Sequence, residues 1–246
     1  MVKLMEETME NKETLIIDDI MNQMIQKELE AGAKLPSENE LADKYRVPRI
    51  TVRNALLKLE DRGYIYSVQG KGRYLKEESI PVQLPLTGST SFTEKMESMG
   101  YEYHTENVDF SLQAYNSKIY QALQANNSDK IYRIGRIRYI DKEPIAIHYS
   151  FVNEKTFPTI KEDGPKINSM FAYYRKQGIE EFSSKQTLLS VTFPTTEEQK
   201  LLACKSMVPL MVVETDSVDK ETNNILEYTK IIYRSDRFKY DISLND

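Results

Sequence analysis

Between Gly32 and Gly72 the 246-residue chain is interrupted so often by helix stops and starts that only short elements fit there. Ahead of it, Ile17, Ile20, Met21, Met24 and Ile25 recur at three- and four-residue spacing, which predicts an amphipathic helix over 12–31, stopped by Gly32. Ser37 with Glu40 predicts a capping box, and Pro36 with Leu41 a hydrophobic staple, so a second helix opens there and runs to about residue 45. Pro48 suits the first position of a third helix, where a missing N–H costs nothing. Val52, Ala55, Leu56 and Leu59 form its buried stripe and Gly63 ends it. Residues 64–67 and 73–75 then read as two strands joined through Gly70-Lys71-Gly72, a hairpin tip.

Charge falls unevenly over this block. Residues 44–76 carry nine Lys/Arg against two acids, a local +7, which leaves −12 for the remainder of a chain whose net charge is −5. A compact basic block on an acidic chain is the footprint of a polyanion site. Short helices, a tight turn and a Gly-containing hairpin describe a winged helix-turn-helix, whose third helix enters the DNA major groove. Arg49 and Arg53, four apart, share a helical face opposite Val52, Leu56 and Leu59. Arginine suits bidentate contact to guanine or phosphate. Thr51 is expected to bond phosphate or approach a thymine methyl. Gly70, Lys71 and Arg73 on the wing are expected at the minor groove or backbone, with Ser37 completing the set. The implied partner is double-stranded operator DNA.

The run Leu35-Pro36-Ser37-Glu38, Leu41-Ala42, Val47-Pro48-Arg49-Ile50-Thr51-Val52-Arg53-Asn54-Ala55-Leu56, Leu59, Gly63 and Gly70-Lys71-Gly72 resembles the signature of GntR-type bacterial repressors. The resemblance places the family's DNA contacts on Arg49, Thr51, Arg53 and Gly70. This chain departs from the pattern at several positions. Pro48 stands where Ser or Thr is usual, Asn39 where some members carry arginine, and Arg73 where the wing has Thr or Ser. Lys27 and Ala31 replace a Gly and a Pro.

Beyond a Pro- and Gly-containing linker at 77–90, β-branched and aromatic residues concentrate at 101–110, 131–140, 144–152, 186–193, 210–218 and 224–233. Helices are expected at 91–99, 117–124, 168–177 and 195–204, the last opened by a Thr195–Glu198 capping box. Asp141-Lys142 and residues 219–223 read as hairpin turns. Strands joined mainly by hairpins predict an α+β domain, an antiparallel sheet with flanking helices. Arg136 and Arg138 share parity on one strand, and Glu227 and Tyr233 on another. A sheet face carrying such groups needs a polar ligand or internal pairing, for instance Arg138 with Glu227, because unpaired buried charge is costly. Paired arginines favour phosphate or carboxylate. Hydroxyls near helix starts, Thr93 and Ser169 among them, favour anions too.

Residues 84–240 resemble the UTRA effector domain of the HutC branch, through Ser91-Phe92-Thr93-Glu94, Arg136-Ile137-Arg138-Tyr139, Asn168-Ser169-Met170-Phe171 and Tyr233-Arg234-Ser235-Asp236-Arg237. The resemblance implies a chorismate lyase-like fold and a homodimer formed through this domain. Relatives that bind amino-sugar phosphates place their pocket on Phe92, Thr93, Arg136, Arg138, Ser169, Glu227 and Tyr233. His148 stands where those relatives have a glutamate facing the ligand. A small anionic effector, most simply a sugar phosphate, is therefore expected, with a non-sugar carboxylate or phosphonate, or a DNA-binding protein with a vestigial pocket, as the alternatives. The expected organisation is a winged helix-turn-helix over 1–76, the linker 77–90 and an effector-binding and dimerisation domain over 91–246.

An enzyme is not expected. The chain has two histidines and one cysteine, Cys204, and lacks zinc-ligand spacings, a phosphate-cradling Gly loop and a G-x-S-x-G elbow. No catalytic residue, metal or cofactor is predicted. A single cysteine excludes an internal disulfide and suggests a reducing compartment. The acidic start lacks the apolar core of a secretion signal and no apolar run spans a bilayer, so a cytoplasmic location is expected without a membrane partner.

Overall fold

The computed structural model describes the backbone of residues 2–76, 82–85 and 91–241, with side chains over 11–76 and 91–238. The chain separates into two compact units, 1–80 with 204–208, and 81–203 with 209–246.

The first unit opens with α1 (Val2–Ile25), followed by α2 (Glu38–Tyr45), α3 (Arg49–Asp61) and the antiparallel hairpin β1 (Ile65–Val68) and β2 (Gly72–Leu75). Ile16, Ile17 and Ile20 of α1 meet Leu41, Val52, Ala55, Leu56 and Leu59 in one core closed by Ile65 and Leu75 of the hairpin. The predicted apolar stripes are these residues. The first helix, expected to reach residue 31, stops at Ile25 instead. Lys27 takes the left-handed conformation (φ 58°), and the N–H of Glu28 turns back to the carbonyl of Gln23 at 2.9 Å. Ser37 and Glu40 form the capping box of α2, and Arg46 ends that helix at φ 51°. Pro48 lies one position earlier than expected, as N-cap of α3, with no side-chain cap. Gly70 sits in the wing turn at φ 73°.

The second unit contains β3 (Val82–Pro85), α4 (Phe92–Met99), β4 (Tyr103–Leu112), α5 (Ser117–Ala122), β5 (Ile131–Ile140) and β6 (Glu143–Asn153). It continues through α6 (Ile160–Asp163) with a 3-10 turn at Gly164–Lys166, then α7 (Met170–Lys176), β7 (Phe182–Ser183), β8 (Thr187–Thr192) and α8 (Thr196–Leu201). It ends with β9 (Leu210–Asp219), β10 (Ile225–Arg234) and β11 (Phe238–Asp241). The main sheet is antiparallel in the order β4-β5-β6-β10-β9-β7, and β8 also pairs with β9. Asp141 and Lys142 form the two-residue β5–β6 turn, both at positive φ (48° and 67°). Within the expected linker, β3 pairs in parallel with β11. Linker residues 77–81 and 86–90 lie outside the described residues.

On one face of the sheet, Tyr132, Ile134 and Val152 pack with Phe157, Ile160, Met170 and Tyr174 beneath α6 and α7. On the same face, Ile140, Ala146, Val213 and Tyr233 pack with Phe92 and Met96 of α4 and with Phe238. The opposite face buries Ile131, Phe151 and Tyr228 against Ile119, Tyr120 and Leu123 around α5. Along β5 the two clusters of the first face are separated by Arg136 and Arg138.

Candidate functional site

In the first unit, α3 presents Arg49, Ile50, Arg53 and Leu57 outward. Arg49 is 67% exposed and its Nε donates to the Glu38 carboxylate at 2.7 Å. Arg53, Gly70 and Lys71 are exposed. Ser37 is committed to its capping box, accepting the N–H of Glu40 at 3.3 Å. Two expectations change here. Thr51 is 0% exposed and its hydroxyl has no partner, so this side chain faces the core and not DNA. The outward neighbour is Ile50, 53% exposed, a residue the sequence reading passed over. Arg73, expected to reach out from the wing, is turned inward. Its Nη1 donates to Glu38 at 2.8 Å and its Nε lies 3.8 Å from Glu60.

In the second unit, strand register assembles a polar band. Arg136 faces His148 across β5 and β6, and Arg138 faces Ala146. His148 faces Ile231 and Ala146 faces Tyr233 across β6 and β10. Irregularities in pairing fall beside Arg138 and beside Glu227, the kind of local break that re-aims a side chain near a site. Arg136 and Arg138 are both buried. Arg136 donates to the hydroxyl of Ser150, while its Nε and Nη1 have no partner. Arg138 donates to the Thr105 hydroxyl and, at 2.8 Å, to the Asn168 carbonyl, while its Nε has none. Its guanidinium also lies over the Phe92 ring at 5.3 Å, a cation–π contact.

Glu227 does not form an ion pair with either arginine. It accepts hydrogen bonds from the hydroxyls of Tyr174 and Thr229. Burial lowers the affinity of both arginines for their protons, taking Arg138 down to about 9, and the Glu227 field only partly opposes it. Burial, with the two guanidinium charges, holds His148 well below the usual imidazole range, so it is neutral and its Nε2 has no partner. Its ring stands edge-on to Phe92 and to Tyr233, at 5.7 and 5.8 Å. Tyr233 stacks on Phe238 of β11 at 4.1 Å.

Thr93 lies in the first turn of α4 and Ser169 caps α7, accepting the N–H of Ala172. A salt bridge from Arg175 to Glu94, 2.7 Å, joins α7 to α4. Of the groups that orient the arginines and Glu227, Tyr174 falls in the run that carries the UTRA resemblance, whereas Ser150 and Thr105 were not singled out in the sequence. Ser150 had a usable signal, since it shares parity with His148. The unsatisfied buried N–H groups of this band belong to two like-charged side chains on one sheet face, an arrangement that is costly without a counter-charge. Among the described residues no cluster of three His, Cys, Asp or Glu suits a metal, and no helix is long and apolar enough to cross a membrane.

A winged helix with outward arginines, in one chain with a sheet domain holding a buried cationic band, defines a two-part transcription regulator. Residues 13–75 match the bacterial regulatory proteins of the gntR family and residues 98–239 match the UTRA domain. The chain belongs to the GntR family of bacterial regulators, in its HutC branch, where the winged helix is followed by a UTRA domain. These families are regulators of transcription and not enzymes. It is similar to the HTH-type transcriptional regulator TreR of Bacillus subtilis (strain 168), 31% identical over 230 residues, covering 94% of this chain and 95% of that protein. The HTH-type transcriptional repressor NagR of the same organism is 26% identical over 225 residues, 92% and 91% of the two chains. The mannosyl-D-glycerate transport/metabolism system repressor MngR of Escherichia coli (strain K12) is 28% identical over 232 residues, 92% and 93%. The crystal structure of PhnF from Mycobacterium smegmatis shares the fold, with a TM-score of 0.60 at 20% identity over 93% of this chain and 99% of that one.

Proposed function

We propose that this regulator is a homodimeric repressor whose operator affinity is controlled by a small anionic effector, a sugar phosphate, held at Arg136 and Arg138. The observation that carries the reading is the set of unpartnered, buried guanidinium N–H groups on one sheet face. An isolated buried charge is costly enough that it is retained where a ligand supplies the counter-charge. Phosphate suits two guanidinium groups buried on one sheet face, and Phe92 and Tyr233 flank a neutral His148 that suits a sugar hydroxyl. Thr93 and Ser169, at the starts of two helices, supply further donors. Relatives named for mannosyl-D-glycerate and, in Escherichia coli (strain K12), for fructoselysine utilization favour a sugar-derived ligand with an anionic group.

On the DNA side, Arg49 and Arg53 read the major groove and Lys71, beside Gly70, meets the backbone or minor groove. Ile50 takes the thymine-methyl role first given to Thr51, since apolar contact there discriminates thymine. A dimer sets two recognition helices on half-sites about one helical turn apart.

The test is thermal melting of the protein against phosphorylated sugars, free sugars, carboxylates and phosphonates. One phosphorylated sugar is expected to raise the melting temperature, since a ligand that binds only the folded state stabilises it. Arg136→Met and Arg138→Met should abolish that rise while melting close to the parent without ligand. The cost to the empty fold is small because relief of a buried charge without a counter-ion is set against the lost hydrogen bonds to Ser150, Thr105 and the Asn168 carbonyl. A rise with carboxylates or phosphonates alone would reassign the ligand. A loss of stability in both unliganded variants would make the arginines structural.

A further inference from the structure

We infer that Glu38 is the positioning residue of the DNA-reading surface, holding Arg49 so that its two terminal amino groups face outward as a fork. In the same inference Arg73 is the counter-charge of Glu38 and not a DNA contact. This rests on the operator-binding reading above.

The geometry separates the two ends of the Arg49 guanidinium. Only Nε is engaged, at 2.7 Å from Glu38 Oε2, and the side chain is otherwise 67% exposed. Guanine and phosphate take two parallel N–H groups from one edge of a guanidinium, and a contact at Nε leaves free the edge formed by the two terminal amino groups. Glu38 is itself only 14% exposed, and its other oxygen, Oε1, takes Nη1 of Arg73 at 2.8 Å. Arg73 is 17% exposed and approaches Glu60, which accepts from the Ser67 hydroxyl at 2.8 Å. The chain Arg49–Glu38–Arg73–Glu60–Ser67 thus runs from the start of α3, through the start of α2 and strand β2, to the end of α3 and strand β1.

Two physical effects follow. A free arginine loses rotamer freedom when DNA orders it, and a side chain already held by Glu38 loses less. A bare carboxylate beside a polyanion would repel it, and Arg73 offsets that charge. The two guanidinium groups, Arg73 foremost, also hold the Glu38 carboxyl below its usual range, so it stays ionised as the clamp requires. Stability does not explain the arrangement, because an ion pair to a side chain as exposed as Arg49 contributes little to folding.

Duplexes selected by the full-length protein from a random pool, and a scrambled duplex of equal length, are the probes. Charge removal alone would strengthen binding to both. Positioning predicts that Glu38→Ala weakens the selected duplex roughly tenfold while affinity for the scrambled duplex holds or rises, which also reports an intact fold. Glu38→Gln, which keeps an oxygen for Nε, should recover part of the loss, and Glu38→Ala should add nothing in an Arg49→Ala background. Arg73→Ala should weaken the selected duplex without changing the slope of log affinity against log salt. The inference is overturned if Glu38→Ala binds the selected duplex as tightly as the parent, or if its loss persists without Arg49. It is overturned equally if Arg73→Ala flattens the salt slope by about 0.9, the mark of a lost phosphate contact. Failure of the parent protein to enrich any duplex would instead remove the operator-binding reading beneath it.

Discussion

His148 illustrates how a single side chain records its surroundings. It lies between two guanidinium charges and two aromatic rings, away from water, and its proton affinity is depressed by burial first and by Arg138 and Arg136 next. A base whose folded affinity is lowered is protonated preferentially in the unfolded chain. Stability is therefore present above about pH 6.5 and lost as the pH falls below it. For one proton the slope approaches ~1.4 kcal/mol per pH unit. Between pH 6.5 and 5.5, denaturant unfolding should show this loss in the parent, and His148→Gln should flatten it. Equal slopes in both proteins would show that His148 takes up its proton as readily in the fold as in the unfolded chain. The residue scale is also where the sequence was misread, twice, with the answer available in spacing. Thr51 stands four residues before buried Ala55, one helical turn away on the same face. Arg73 shares strand parity with buried Leu75, so it points toward the body of the domain. Thr51 had been assigned from its place near the helix start and from the resemblance, Arg73 from its place on the wing alone. The arginine pair of β5 was legible by that same parity, whereas its partners Thr105 and the Asn168 carbonyl come from distant segments and were not.

Elements whose signal is local were readable. The capping boxes Ser37–Glu40 and Thr195–Glu198 open α2 and α8, and alternation located β5, β6, β9 and β10 to within about two residues. Elements without a local signal were missed. Strand β3 pairs in parallel with β11, so no hairpin turn announces it, and β7 is two residues long. The first helix stops early because Lys27, which has no sequence mark of a helix stop, adopts a left-handed conformation. The β5–β6 turn is an element with a correctable cost. Asp141 and Lys142 both occupy positive φ, and lysine is poorly suited there, whereas Asp-Gly is a preferred pair for a two-residue hairpin. Lys142→Gly should stabilise the protein by about 0.5–1 kcal/mol, read as a higher melting temperature with the effector response unchanged. A lower melting temperature would mean that the lysine side chain contributes more than its backbone costs.

At the scale of the whole molecule, the +7 block of residues 44–76 and the −12 carried by the rest divide the labour by charge, DNA on the one and a buried cationic band on the other. If effector and operator oppose each other, thermodynamic linkage requires one coupling for both ligands. The compound that raises the melting temperature should weaken duplex binding about 5- to 150-fold, and saturating duplex should weaken binding of that compound by the same factor. Unequal factors at equilibrium would exclude a simple two-state repressor, and Arg138→Met should abolish both effects. The parallel pairing of β3 with β11 has a consequence in the order of synthesis. The three helices and the wing emerge from the ribosome with all their main core partners already made, so that unit is free to form early. Strand β3, which leads into the helix carrying Phe92 and Thr93, has to wait for a partner well over half the chain further on. A nascent regulator would therefore hold the core of its DNA-reading head before its sensing domain is closed, and translation halted between residues 208 and 238 would leave a product with that head complete but without the strand that pairs with β3.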